Sequence, residues 1–413
     1  MPDAETNPSE FAPISQPELC RFLRENAEGD RRPLVPVGGR TALHYGNPVP
    51  DAAIVVETAN LARTVDYPAR DMTVTVETGM RFDVLAELLR DERQQLPIDV
   101  PQSNRATLGG IIATNVSGSR RFGYGTLRDY VIGVSAVDAG GRLFKAGGRV
   151  VKNVAGYDLC KLLVGSLGTL AVISQVTLKL KPVPETSALL WTAFPDLPAI
   201  DGVLERLLTS AARPVIVDVL TPATAAQIAA EIRCDLPSDR PVLIVGVEGG
   251  EHETSWQVET LRSELAAGSP QSIDVLSTDD GCRLLQALTG FSVHSEEPLI
   301  FRATLPPSQT IAFLRQAERA GVTLLSHAGN GIVTGLLPED VAGVDEALRL
   351  LSPLMESVRK ARGGFTILHC DESWKARLPA FGDDTPGWRL MQRVKAELDP
   401  HGLLNPGRLF GEV

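Results

Sequence analysis

The pattern of apolar and polar positions changes character along the chain. From 33 to 184 it runs in short apolar stretches interrupted by glycine, the first being Pro33 to Val37, which ends in a turn containing Gly39. The last of these stretches is VISQVTLKLKP, after which Pro182 and Pro184 mark a linker. From 187 to about 370, runs such as LLWTAF, PVIVDVL and PVLIVGVE read as strands, and IDGVLERLLTSA and TSWQVETLRSELAAG as helices between them. LIFRATL, TIAFLRQAERAG, VTLLSHA, GIVTGLL, VDEALRLLSPLMESVRKA and GGFTILH then spell strand, helix, strand, strand, helix, strand, the order of a ferredoxin-like unit. The region is therefore expected to be a cap of two such halves. A last helix, Trp388 to Leu398, ends at Asp399-Pro400 and leads into the tail HGLLNPGRLF. The pattern predicts an α+β chain with boundaries at 1–184, 185–385 and 386–413.

Length and charge narrow the picture. At 413 residues the chain exceeds what one core holds, so several domains and a large cofactor are affordable. Forty basic against fifty-one acidic side chains give a net charge of −11, opposite to a nucleic-acid-binding surface. Cys20, Cys160, Cys234, Cys282 and Cys370 are odd in number, scattered and free of any CxxC, which argues against a disulfide framework, an iron–sulfur cluster or a zinc knot. The acidic, proline-rich start lacks the basic and apolar segments of a signal peptide, and no apolar run reaches the ~20 residues that span a bilayer. A cytoplasmic location is expected, with membrane association only through partners.

Glycine carries the candidate chemistry. Thirteen of the sixty residues from Gly109 to Gly168 are glycine, against an average usage of about 7%. Three segments stand out. In VPVGGRTALHYG, residues 35 to 46, a strand ends in Gly38-Gly39, where consecutive amides can form an anion nest, although an ordinary hairpin turn would look the same. In TLGGIIATNVSGSRRFGYG, residues 107 to 125, glycines alternate with Thr114, Asn115 and Ser117, letting backbone lie against a flat ring or a phosphate. KNVAGYDLCKLLVGSLGTLAVI, residues 152 to 173, reads as a turn, a short helix and a glycine turn entering a strand. Gly329, Gly331 and Gly335 make a GxGxxxG, but IVTGLL reads as a strand, whereas a dinucleotide fingerprint must open a helix.

In order and spacing these segments resemble the FAD-binding domain of the vanillyl-alcohol oxidase and para-cresol methylhydroxylase (PCMH) family. The resemblance implies a PCMH-type FAD-binding domain of two α/β subdomains plus a ferredoxin-like cap. By motif match it places Pro36, Val37, Gly38, Gly39, Arg40 and Thr41 on the pyrophosphate. It places Pro101, Thr107, Gly109, Gly110, Asn115, Gly118, Tyr124 and Gly125 along the isoalloxazine and pyrophosphate. Gly165, Gly168, Thr169 and Ile173 fall at the adenosine end. KNxxGYDLxKL and the tail Asp399, Gly402, Leu404, Asn405, Pro406, Gly407 resemble the 2-hydroxyacid dehydrogenase branch, with Asn405 expected near the flavin and Tyr157, Asp158 and Lys161 bracing the loop. Arg40 stands where covalent members carry histidine, so FAD is expected to bind non-covalently, and Leu167 replaces the branch's glutamate.

Oxidation of a 2-hydroxy acid on a flavin needs a cation for the carboxylate and a base or metal for the hydroxyl proton. SHAGNG, residues 326 to 331, resembles the branch's metal-binding segment: His327 matches the first ligand, but Thr334 stands at the second, and the later Glu-His pair is Leu368-His369. His327, His369 and Arg121 are thus the weak catalytic candidates, Arg120 shares the carboxylate role with Arg121, and no metal is expected. The resemblance implies an FAD-binding subunit of a glycolate oxidase complex, beside a catalytic flavin subunit and an iron–sulfur subunit, acting on a small 2-hydroxy acid. A stand-alone 2-hydroxyacid dehydrogenase and a non-catalytic scaffold are the alternatives.

Overall fold

The computed structural model describes residues 9–148, 158–293, 297–378, 380–381 and 386–409. Tyr157, with the turn 152–156, lies outside them. The chain separates into two compact units, one drawn from 1–116, 126–183 and 384–413, the other from 117–125 and 184–383.

The first unit holds two principal sheets. Glu10–Phe11, Ile54–Glu57 and Leu34–Val37 form a small parallel sheet in that order. Helix Gln16–Glu28 buries Leu19 and Leu23 in the same core as Leu34, Ile54 and Val56, and it starts where Ser15 accepts the Glu18 amide with proline in the first turn. Thr64–Asp66, Thr73–Glu77, Val172–Lys179, Val131–Val137 and Leu143–Gly147 form an antiparallel sheet of five strands. Two α/β layers within one unit agree with the expected PCMH-type architecture. The tail returns to the small sheet. Leu34 donates to the Leu403 carbonyl at 2.7 Å, Asn405 donates to the Leu34 carbonyl at 2.8 Å, and Leu403 and Leu404 are buried in that core.

The second unit is one antiparallel sheet of eight strands, in the order Ser272–Val275, Thr186–Ala193, Val242–Gly249, Ile216–Leu220, Thr323–His327, Ile332–Leu336, Leu299–Thr304, Gly364–Cys370. Each half pairs its strands in ferredoxin-like order, and the halves join through only two register pairs, Val219 with Ser326 and Leu220 with Leu325. The first half carries an additional helix, Pro222–Ile232, between its second and third strands. Side chains alternate across the pleat. Val217, Val219, Val245, Phe301, Ala303, Leu324, Val333 and Phe365 share one core with helices Leu197–Leu207, Glu251–Ala266, Thr310–Arg319 and Val344–Lys360. The intervening positions, among them Asp218, Glu248, Arg302, His327 and Thr334, therefore share the opposite face.

Candidate functional site

The first unit has a groove lined by Val35 through Leu43, Tyr45, Gly110, Ala113, Thr114, Leu167, Asn405 and Arg408. It brings four stretches far apart in sequence, 35–45, 110–114, Leu167 and 405–408, to one place. The first loop is fixed by close packing, because a Cβ on Gly38 would fall 2.0 Å from Thr107 Oγ1 and one on Gly39 would fall 1.9 Å from the Arg105 carbonyl oxygen. Any side chain at either position would force the loop off its neighbour.

TLGG is helical at its centre. Leu108–Thr114 forms a short helix despite two glycines, with Leu108, Ile111 and Ile112 buried and Asn115 closing it in the left-handed region. The two glycines differ. A Cβ on Gly109 would press on Thr78 at 3.3 to 3.4 Å, whereas one on Gly110 would meet only Thr107 Oγ1 at 3.7 Å. Gly110 thus faces the open groove and Gly109 faces the protein. Residues 165–169 form a turn pinned on both sides: the Gly165 amide donates to Ile112, the Leu167 amide to Ala113, and Asn405 Nδ2 to the Leu167 carbonyl. Thr169 bonds back to Ser166, and Asn405 Nδ2 also packs against Gly168. Ile173 is buried, its carbonyl accepting Thr78 Oγ1 at 2.5 Å. Pro101 is half-buried and does not line the groove.

The unpaired donors and acceptors beside the groove fit an FAD. Thr107 Oγ1, Asn115 Oδ1, Ser166 Oγ and Asn405 Oδ1 are buried without a hydrogen-bond partner, a condition that costs on the order of 1–3 kcal/mol per group unless a ligand satisfies it. Arg408 adds charge. Its buried guanidinium donates to the carbonyls of Leu43 at 2.7 Å and Tyr45 at 3.0 Å, with no carboxylate partner among the described residues, and burial pushes its pKa down. Arg40, by contrast, is half-exposed and paired with Glu10 and Glu57. Arg408 is the better cation for a pyrophosphate, and the sequence motifs did not single it out.

The segment 117–125 groups with the second unit, so Gly118, Tyr124 and Gly125 are placed there. The segment is clamped to the sheet face that carries Asp218 and Glu248. The Gly123 amide donates to Val215, a Cβ on Gly123 would lie 2.6 Å from Val215, and Gly329 packs directly under Phe122. Its polar groups meet two acids, the buried Asp218 and the half-buried Glu248. Ser119 Oγ donates to Asp218 Oδ2 at 2.5 Å, and Tyr124 donates to Glu248 at 2.8 Å with Arg120 3.9 Å from the same carboxylate. Arg121 donates to Ser117 Oγ.

Asp218, wholly buried, also holds His327 Nδ1 at 2.9 Å. An ionised Asp218 keeps the proton on Nδ1 and leaves Nε2 as an acceptor. His327 and His369 are not brought together. The row of His327 runs through Ile332 and Thr304 to Gly364, three strands away, and His369 lies five residues beyond Gly364. The strand spacings put the two histidines on the order of 20 Å apart, far outside the ~2 Å reach of a shared ion. Leu368 is the extra residue of a β-bulge, since the register steps from His369 opposite Ile300 to Ile367 opposite Phe301. Thr334 is buried on the strand beside His327. Among the described residues no three His, Cys, Asp or Glu side chains could hold a metal ion, and no helix is long and apolar enough to cross a membrane. Asp158 caps helix Leu159–Leu163 through the Lys161 amide.

Comparison with known proteins matches residues 11–147 to the FAD binding domain family and residues 183–409 to the FAD linked oxidases, C-terminal domain. FAD is therefore the cofactor. The glycolate oxidase subunit GlcD of Bacillus subtilis is 27% identical over all of this chain and 90% of its own length. The glycolate oxidase subunit GlcE of Escherichia coli is 28% identical over 94% of this chain and 95% of its own. The solved structure of p-cresol methylhydroxylase with substrate bound superposes with a TM-score of 0.75 at 13% identity, covering 98% of this chain and 88% of that one, a likeness of fold.

Proposed function

The chain belongs to the FAD-linked oxidases, and from that premise we propose that it is the FAD-binding subunit, of the GlcE type, of a glycolate oxidase complex. In that complex a small 2-hydroxy acid is oxidised to the 2-oxo acid and electrons leave through a catalytic flavin subunit and an iron–sulfur subunit. One observation carries the reading: the glycine loops gather into a groove while the positions that match the branch's metal ligands do not assemble a ligand set. His327 is bound to Asp218, Thr334 and Leu368 offer a weak donor and none, and His369 is strands away.

When bound, FAD supplies an acceptor for the hydride of the substrate carbon. The loop 36–41, Gly110, the buried oxygens and Arg408 would hold it non-covalently. In the second unit, Ser119 and Asp218 fix His327 with Nε2 as an acceptor for the substrate hydroxyl. An alcohol is a far weaker acid than imidazolium, and a bound metal lowers the pKa of an attached water to about 7. With no three-ligand set among the described residues to supply that activation, the chain should recognise a hydroxyl without oxidising it rapidly.

The test is anaerobic mixing of the FAD-loaded chain with excess glycolate or D-lactate, with and without divalent metal, while flavin absorbance is followed. Little bleaching is expected from the chain alone, and bleaching once the partner flavoprotein subunit is added. Rapid bleaching without a partner would instead establish a stand-alone 2-hydroxyacid dehydrogenase.

A further inference from the structure

The 2-hydroxy acid reading requires a cation for the substrate carboxylate, and the two arginines that sequence offered are already occupied. Arg120 lies against Glu248 and Arg121 is bonded to Ser117. The sheet face of the second unit that carries His327 offers another. Arg302 lies at the centre of strand Leu299–Thr304, between core residues Phe301 and Ala303, so it shares its face with His327. Thr334 and Thr366 sit directly opposite it on the neighbouring strands, with Ile300 and Thr304 two residues to either side. Arg302 is half-buried, and among the described residues it has no ion pair and no hydrogen bond.

A half-buried guanidinium in mid-sheet, flanked by two threonines and a buried isoleucine, loses hydration and gains nothing back from its own chain. Its planar fork matches a carboxylate, and threonine hydroxyls on both sides can donate to the same oxygens. The distance to His327 is suitable. Two strand spacings and one same-face step separate the two Cα atoms by roughly 12 Å, which the long arginine side chain and the imidazole shorten to the span of a small acid. Thr334, on the strand between them, borders that space.

Resting on the 2-hydroxy acid reading, we propose that Arg302 binds the carboxylate of the substrate on the sheet face it shares with His327, with the hydroxyl directed to His327 Nε2. This makes Arg302 a specificity-determining residue. A small monocarboxylate carrying an adjacent hydroxyl satisfies both groups, whereas an alcohol without a carboxylate leaves the guanidinium unpaired.

Binding is measured by isothermal titration calorimetry on the FAD-loaded full chain, with glycolate and with 2-hydroxyisobutyrate, which lacks an α hydrogen, as a non-oxidisable probe. Arg302→Leu should weaken both by about tenfold or more, and Arg302→Lys, which keeps the charge but loses the fork, should fall between. FAD content and thermal midpoint of each variant, measured alongside, identify any that misfolds, and Arg302→Gln replaces a misfolding leucine variant. The proposal is overturned if the wild type binds neither probe, if a folded Arg302→Leu or Arg302→Gln chain binds them as wild type does, or if phosphate binds with the same dependence on Arg302. Calorimetry needs no turnover. Bleaching by the isolated chain would thus remove the subunit reading and leave Arg302 standing, while absent binding would remove Arg302 whatever the flavin does.

Discussion

Gly109 and Gly110 are adjacent in sequence and opposite in consequence. Gly109 leans on Thr78, so a larger residue there strains the helix 108–114 itself, while Gly110 borders the groove with room for a side chain but not for a side chain and a cofactor together. Gly110→Val should give a folded chain that loses FAD on gel filtration, whereas Gly109→Val should lose thermal stability as well. Retention of flavin at wild-type occupancy by Gly110→Val would show that the cofactor lies elsewhere. The paired glycines were readable from sequence because close backbone approach restricts composition. Asp218 and Arg302 were not, because their roles are set by partners and neighbours on other strands. Asp218 meets Ser119 across 99 residues and His327 across 109, and nothing local in PVIVDVL distinguishes a buried anchor from a turn-side acid.

At the scale of elements, apolar rhythm predicted the strands and helices of the second unit well, since long periodic segments leave little choice. Glycine misled where it was abundant: TLGGIIAT reads as loop, yet Leu108, Ile111 and Ile112 bury one face and tertiary packing outweighs the roughly 1 kcal/mol per glycine. Segment 117–125, which lies within the glycine-rich stretch of the first unit, packs in the second, a pairing specified by Gly123 on Val215, Phe122 on Gly329 and the bonds of Ser119 to Asp218 and Tyr124 to Glu248. The tail's return was legible as a motif, but its mechanism was not. Lys395 donates to the carbonyls of Thr169 at 2.7 Å and Leu404 at 2.8 Å and pairs with the wholly buried Asp399, which in turn accepts the amides of Leu403 and Leu404. Burial pushes the Lys395 pKa down even so. Lys395→Met would strand the Asp399 carboxylate, and breaking a buried pair in this way costs about 3–5 kcal/mol. Urea unfolding should show that loss, with weaker FAD retention as Asn405 comes away from Leu167. A shift below about 1 kcal/mol would mean that the clamp contributes little.

At the scale of the whole molecule, the remaining question is where electrons go. A reduced flavin must be reoxidised, and the five cysteines contain no cluster-binding spacing, so an iron–sulfur acceptor would have to belong to another chain. The net charge of −11 favours a protein acceptor with a basic contact surface over a nucleic acid or an anionic membrane. Helix Pro386–Leu398 exposes Leu390 at 62% and Met391 at 43%, apolar side chains that a partner subunit would cover. We therefore expect affinity purification from the native host to recover a second flavoprotein and an iron–sulfur protein with this chain. Leu390→Glu with Met391→Glu should reduce that recovery without lowering FAD content, because neither side chain is in the groove. Loss of partners together with loss of FAD would point to misfolding, which the thermal midpoint separates. If the untagged chain sediments as a monomer and purification from its host brings down no redox partner, the complex is wrong and the stand-alone dehydrogenase takes its place.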